Sequence, residues 1–142
     1  MTQHDLSSLA RKMAGITVAQ FATHAGGGQM SVRPMSNNGD VAYDGTSYYF
    51  AAGDSQVVAD LRRAPHVALS FQGANGLYVA VQGEATLSQD RGSLAAHWRP
   101  DLNQWFGQGI ETPGLTLIQV DARQIRYWDT SGEAFDQGQI DL

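Results

Sequence analysis

Apolar residues along the chain follow two periods, one helical and one of strand type. In "DLSSLARKM", residues 5–13, Leu6, Leu9, Ala10 and Met13 recur at helical spacing. Asp5 stands where it can cap the first turn and Gly15 lies just past the last, so a short leading helix is predicted within residues 1–15. The period then changes. "ITVAQFAT" is rich in β-branched and aromatic residues and runs into the glycine turn "HAGGGQ", after which "MSVRPMS", residues 30–36, returns as the second strand of a hairpin. "NNGD" and "YDGT" are turn signals, and "SYYFAA" beyond them has strand composition. Over residues 54–63, "DSQVVADLRR", Val57, Val58 and Leu61 share a helical face, Asp54 or Ser55 can cap the start, and Pro65 stops it.

"HVALSFQG" and "LYVAVQGEATLSQ" flank Asn75-Gly76 and form the clearest hairpin of the sequence. "DRGSLAAHW" predicts a further crossing helix, followed by the loop "RPDLNQWFGQGIETPG". "LTLIQVDARQIRYWD" then reads as one long final strand with room for a bend, and the polar, acidic tail over residues 130–142 is expected to be loose. Strands outnumber helices and hairpins dominate. The pattern therefore predicts a mainly β fold, a mostly antiparallel barrel with short helices at its openings.

Composition narrows what such a barrel can do. With 142 residues and 42% hydrophobic content, the chain suits one domain over residues 1–142 that buries roughly two-thirds of its unfolded surface. No apolar run approaches the ~20 residues of a membrane span, and the first residues lack the layout of a signal peptide, so no membrane association and a cytoplasmic location are expected. The absence of cysteine excludes disulfides, thiol nucleophiles and thiolate metal sites. A net charge of -5 argues against general nucleic-acid binding, which rests on neutralising several phosphates. Of nine basic residues only Lys12 is a lysine, so an anionic ligand must be held by arginines, backbone N–H groups or hydroxyls. His4, His24, His66 and His97 show no metal-ligand spacing, and no metal is expected.

Three features carry candidate chemistry. Arg33 sits in mid-strand next to Pro34, whose missing N–H confines that stretch to an edge, a bulge or a strand end. A permanently charged guanidinium there serves either an anionic ligand or a surface ion pair. Ser55, at the start of a helix, is either a cap or part of an anion site built on the unpaired N–H groups of the first turn. Trp98, Trp105 and Phe106 cluster in or beside a glycine-containing loop, where they plug a barrel end or stack on a planar ligand or partner. No acid, base or nucleophile motif is present, so no catalytic residue is assigned.

The segments "FATHAGGGQMSVRPM", "YYFAAGDSQVVADLRRAPHVALSF", "LYVAVQGEATLSQD" and "HWRPDLNQWFGQGIETPGLTLIQVDARQIRYWD", in this order, resemble the general-stress-protein branch of the FMN-binding split-barrel, or pyridoxamine 5'-phosphate oxidase-like, family. The likeness runs from about residue 5 to residue 129. It implies a six-stranded antiparallel split barrel that forms a homodimer, with FMN in a groove at the subunit interface. Arg33 and Ser55 match residues that approach the flavin phosphate. Backbone including Pro34, Met35, Phe50 and Ala51 would line the flavin, and Trp105 with Phe106 would bring aromatic surface near its ring. One departure matters: Val57 stands where such proteins usually carry a phosphate-binding lysine, and "GQGIET" replaces the usual charged loop. Losing one charge-assisted contact costs on the order of 1.5 to 3 kcal/mol, which implies weakened or lost FMN binding. The resemblance implies a flavin-dependent oxidoreductase reduced by a nicotinamide or another small donor; the departure at Val57 favours a protein that holds a flavin or other flat anion without turnover.

Overall fold

The computed structural model describes residues 5–142; His4 and the first residues of the leading segment lie outside them. Helix α1 spans Leu6–Met13, and the Asp5 carboxylate caps it by accepting from the Ser8 N–H at 2.7 Å. The strands β1 (Val18–Gly26) and β2 (Gln29–Ser36) form the first hairpin. Its turn runs through Gly26, Gly27 and Gly28, all at positive φ, which explains the glycine triplet. Strand β3 is Thr46–Ala52, helix α2 Gln56–Arg63, β4 His66–Gln72, β5 Leu77–Ser88 and helix α3 Arg91–His97. Two helical turns, Pro100–Gln104 and Gly109–Glu111, fill the loop before β6 (Leu115–Asp129), and β7 (Asp136–Asp141) ends the chain.

All strand pairings are antiparallel, in the order β2-β1-β4-β5-β6-β3, and the sheet curls until its two end strands, β2 and β3, come into contact. This is the six-stranded split barrel. The proline of β2 is accommodated because, among the described residues, that strand pairs only with β1.

The tail departs from expectation: β7 pairs with β6 from Gln124↔Asp141 to Asp129↔Asp136. Its polar composition hides an ordinary edge strand, in which the backbone supplies the bonding. Gln137, Gln139 and Asp141 face solvent while Ile140 packs against the core. Gly138 is required where it lies, since a Cβ there would stand 2.7 Å from the Tyr127 hydroxyl. While β5 pairs along one edge of the fifteen-residue β6, a bulge at Arg123, opposite Gln82 and Gly83, divides the strand so that its other edge serves two partners. Its first half pairs with β3, from Leu115 to Asp121, and its second with β7.

Two cores result. The larger fills the barrel with Phe21, Tyr49, Leu69, Phe71, Val79, Val81, Ile118 and Ile125, and α2 contributes Val57, Val58 and Leu61 to it. The Phe21 and Tyr49 rings meet edge to face at 5.3 Å. The smaller lies on the other face of β3, where Phe50, Leu94, Leu102, Leu115 and Leu117 pack with Trp98 and Phe106. Strand β3 thus alternates between cores, which places the loop aromatics on the flank of the barrel instead of in its mouth.

One ion pair ties α1 to the end of β6. Lys12 Nζ lies 2.8 Å from Asp129 Oδ2, and Ser131 donates to Oδ1 from both N–H and hydroxyl. These contacts, Lys12 foremost, lower the Asp129 carboxyl from 3.8 to about 2. Because the folded value is depressed, the stabilisation is present above the unfolded value and is lost as pH falls through the folded one. We expect the Asp129→Asn variant to be less stable than the parent by about 2 kcal/mol near neutrality, with the gap closing between about pH 4 and 2. Urea unfolding of both proteins across that range measures it; a pH-independent gap would show that the charge contributes nothing.

Candidate functional site

The loop after α3 stands off from β2 and β3 to leave an open groove of about 620 Å³. Pro34, Met35, Phe50, Trp105 and Phe106 line it together with Val18, Ser36 and Leu102. Five residues singled out in the sequence are thereby gathered on one concave surface. Its aromatics divide their work. Phe50 is buried and meets Trp98 edge to face at 5.1 Å, and Trp98 tilts onto Phe106 at 5.9 Å. Trp105 belongs to neither core and is 68% exposed. Packing explains Trp98 and Phe106; a large ring left in solvent at the edge of an apolar groove is available to stack on a ligand or partner.

Arg33 stands opposite Phe21 in the β1–β2 ladder, next to Pro34. Its Nη1 donates to Thr23 Oγ1 at 2.8 Å and to the Phe21 carbonyl at 3.2 Å, and Nη2 lies 3.5 Å from Asp60 Oδ2. Asp60, on α2, is fully buried. It accepts from Thr23 Oγ1 at 2.7 Å, Gln56 Nε2 at 2.6 Å and Arg63 Nη2 at 3.3 Å. Burial pushes this carboxyl up, but the bonds from Thr23, Gln56 and Arg63 outweigh it, and the net shift is downward. One carboxylate between two guanidinium groups leaves a surplus positive charge. Sequence reasoning weighed an anionic ligand against a surface pair and missed this buried partner. A signal existed: Asp60 lies three residues from Val57 and one from Leu61, on the apolar face of α2, where a carboxylate requires a cation.

The remaining candidates lie elsewhere. Ser55 occupies the N-cap position of α2, but its hydroxyl donates to the Ala52 carbonyl at 2.6 Å and makes no capping bond. Ala51 and Val57 are core residues, 7% and 6% exposed. Val57 therefore does not offer the groove a side chain, and its identity is set by packing.

Comparison with known proteins agrees with this architecture. The pyridoxamine 5'-phosphate oxidase-like family profile matches residues 4–139. A search of curated protein sequences gives no match. Among solved structures, the chain is similar to general stress protein 26 from Bacillus anthracis, with 19% identity, TM-score 0.76 and coverage of 96% of this chain and 98% of that one. A protein from Clostridium acetobutylicum related to general stress protein 26 gives a TM-score of 0.79 at 16% identity, covering 96% and 94%. The general stress FMN/FAD binding protein of Xanthomonas citri gives 0.73 at 18% identity, covering 96% of both chains. With nearly the whole chain matched by the profile and the same barrel recurring among these structures, the protein belongs to the pyridoxamine 5'-phosphate oxidase-like family.

Proposed function

We propose that the groove binds FMN, with the flavin ring against Phe50, Phe106 and Trp105 and the phosphate toward Arg33 and the first turn of α2. The observation that carries this reading is the convergence of Pro34, Met35, Phe50, Trp105 and Phe106 on one apolar concavity of about 620 Å³, a size suited to a small-molecule cofactor. Family membership supports it, as does the similar FMN/FAD binding protein of Xanthomonas citri. The residues fit the ring well. Neither Arg33 nor the first turn of α2 lines the groove itself; what supports a phosphate beyond its rim is the surplus charge of the Arg33–Asp60–Arg63 cluster and the uncapped N-terminus of α2, without the usual lysine.

When bound, FMN would supply two-electron redox chemistry, accepting a hydride from a nicotinamide or another small donor. This chain's residues would bind and orient the ring. Among the described residues, Asp101 is the only ionisable one lining the groove, and it pairs with Arg99 at 3.2 Å. That observation favours a second reading, flavin binding without turnover, which anaerobic mixing with NADH or NADPH would separate from the first.

We further propose that the protein works as a homodimer through the outer face of β2 and β1. Val32, Met30 and Val18 are 63%, 52% and 48% exposed there, an apolar row that a second copy would cover.

Three outcomes test the site. Flavin fluorescence should be quenched on titration with the protein, and Trp105→Ala should weaken FMN and riboflavin alike, by about three- to tenfold. An unchanged affinity would remove Trp105 from the site. Arg33→Ala should weaken FMN by at least about tenfold beyond any loss for riboflavin, which lacks the phosphate. Equal losses would sink the phosphate assignment. Val57→Lys should lower the melting temperature without tightening FMN, since the new ammonium would be buried at a cost of several kcal/mol. A tighter FMN complex at unchanged stability would show that a lysine there can reach the phosphate.

A further inference from the structure

The barrel closes where β2 meets β3, and among the described residues no ladder of backbone hydrogen bonds crosses that seam. The groove lies along it, lined by Pro34, Met35 and Ser36 of β2, by Phe50 of β3 and by the loop that carries Trp105. A seam without a ladder leaves the spacing of these walls to side chains. Two adjacent residues supply the contacts. Trp98 meets Phe50 edge to face at 5.1 Å and so ties the loop to β3. Arg99 ties it to the other strand: its Nη2 donates to Ser36 Oγ at 2.9 Å, a partner 63 positions away. Among the described residues this is the one hydrogen bond that joins residues 98–114 to β2.

The same guanidinium donates through Nε to Asp101 Oδ1 at 3.2 Å. Both of its partners line the groove, whereas Arg99 does not, so it acts on the groove through them. The two contacts are unequal. Asp101 is exposed and its ion pair is screened by solvent, but the bond to Ser36 is partly buried and the Arg99 side chain is only 14% exposed. Holding so long a side chain in one arrangement costs conformational entropy, and local structure does not require it. Arg99 precedes the helical turn Pro100–Gln104, yet its side chain makes no capping bond there.

We propose that Arg99 is a positioning residue that sets the width of the groove. By clasping the loop to β2 it holds the Trp105 ring at a fixed distance from Pro34 and Met35, so that a flat ring system is gripped between them. The consequence for ligand affinity rests on the reading of the groove as a flavin site; the clasp itself is a property of the free protein.

Amide hydrogen exchange of the ligand-free full chain, followed by NMR, tests the clasp in Arg99→Ala and in Ser36→Ala, which removes the same bond from its other end. The Trp105 and Phe106 amides, both bonded to the Leu102 carbonyl, should exchange at least about fivefold faster in each variant, while those of Phe21 and Val81 in the barrel keep the parent rate. Unchanged exchange at Trp105 and Phe106, or an equal rise in the barrel, would overturn the proposal. Titration with riboflavin, which is neutral and so insensitive to a lost cation, reads the effect on the groove. Arg99→Ala should weaken it by about three- to tenfold in the parent and by less than about twofold when Trp105→Ala is already present. The full loss in both backgrounds would show that Arg99 does not act through the Trp105 loop. A parent that binds no flavin would sink the flavin reading, and the exchange comparison would still decide whether Arg99 holds the loop.

Discussion

The buried carboxylate of Asp60 is the interaction on which the site depends. It is fully buried on α2 and receives bonds from β1 through Thr23 and from its own helix through Gln56 and Arg63, with Arg33 of β2 beside it. An end strand of a sheet has one ladder to hold it, and β2 pairs only with β1. The charge cluster gives that strand a second attachment, through Arg33 to the helix. Removing Asp60 would leave Arg33 and Arg63 without their shared carboxylate, which is far costlier than the pairs themselves are stabilising. Pro34 and Met35 follow Arg33 directly, so the position of one groove wall rests on this cluster.

The opposite wall depends on β3 serving two cores. Tyr49 and Ala51 turn into the barrel while Phe50 turns outward, and Phe50 carries Trp98, which in turn carries Phe106. This chain of ring contacts anchors a loop with little regular structure to the flank of a rigid sheet. A groove therefore opens between an edge strand fixed by charge and a loop fixed by aromatic packing. The sequence places Trp105 on that loop yet outside both cores, and this separates the ring that packs from the ring that is free.

Much of this was legible in the residues. Hairpin turns such as Asn75-Gly76 and the glycine triplet at residues 26–28 dictate local backbone shape, and alternation along β4 and β5 dictates which side faces the core. What escaped detection depends on contacts distant in sequence. The strand β7 carries almost no apolar signal, because an edge strand can be held by its backbone with Ile140 alone packed inward. The direction of Val57 follows from how α2 docks on the barrel, and the partner of Arg33 lies 27 positions away on a different kind of element (33 to 60). Family likeness marked Arg33, Ser55 and Val57 as one phosphate site, but side-chain direction separates them into a charge cluster, a backbone-bonded hydroxyl and a core residue.

The two arginines beside the groove differ in how much charge they can lend to a ligand. The carboxylate facing Arg33 is desolvated and fixed by three other donors, so a phosphate bound there, as proposed, would join that arrangement without displacing it. Arg33 then offers fixed geometry with part of its charge already spent, and the net attraction comes from the surplus that Arg63 adds. Arg99 is the reverse case. Its partner Asp101 is 56% exposed, and a solvent-screened pair of that kind contributes little and yields readily to a competing anion. The chain thus sets a rigid, partly neutralised arginine at one side of the groove and a lightly held one at the other.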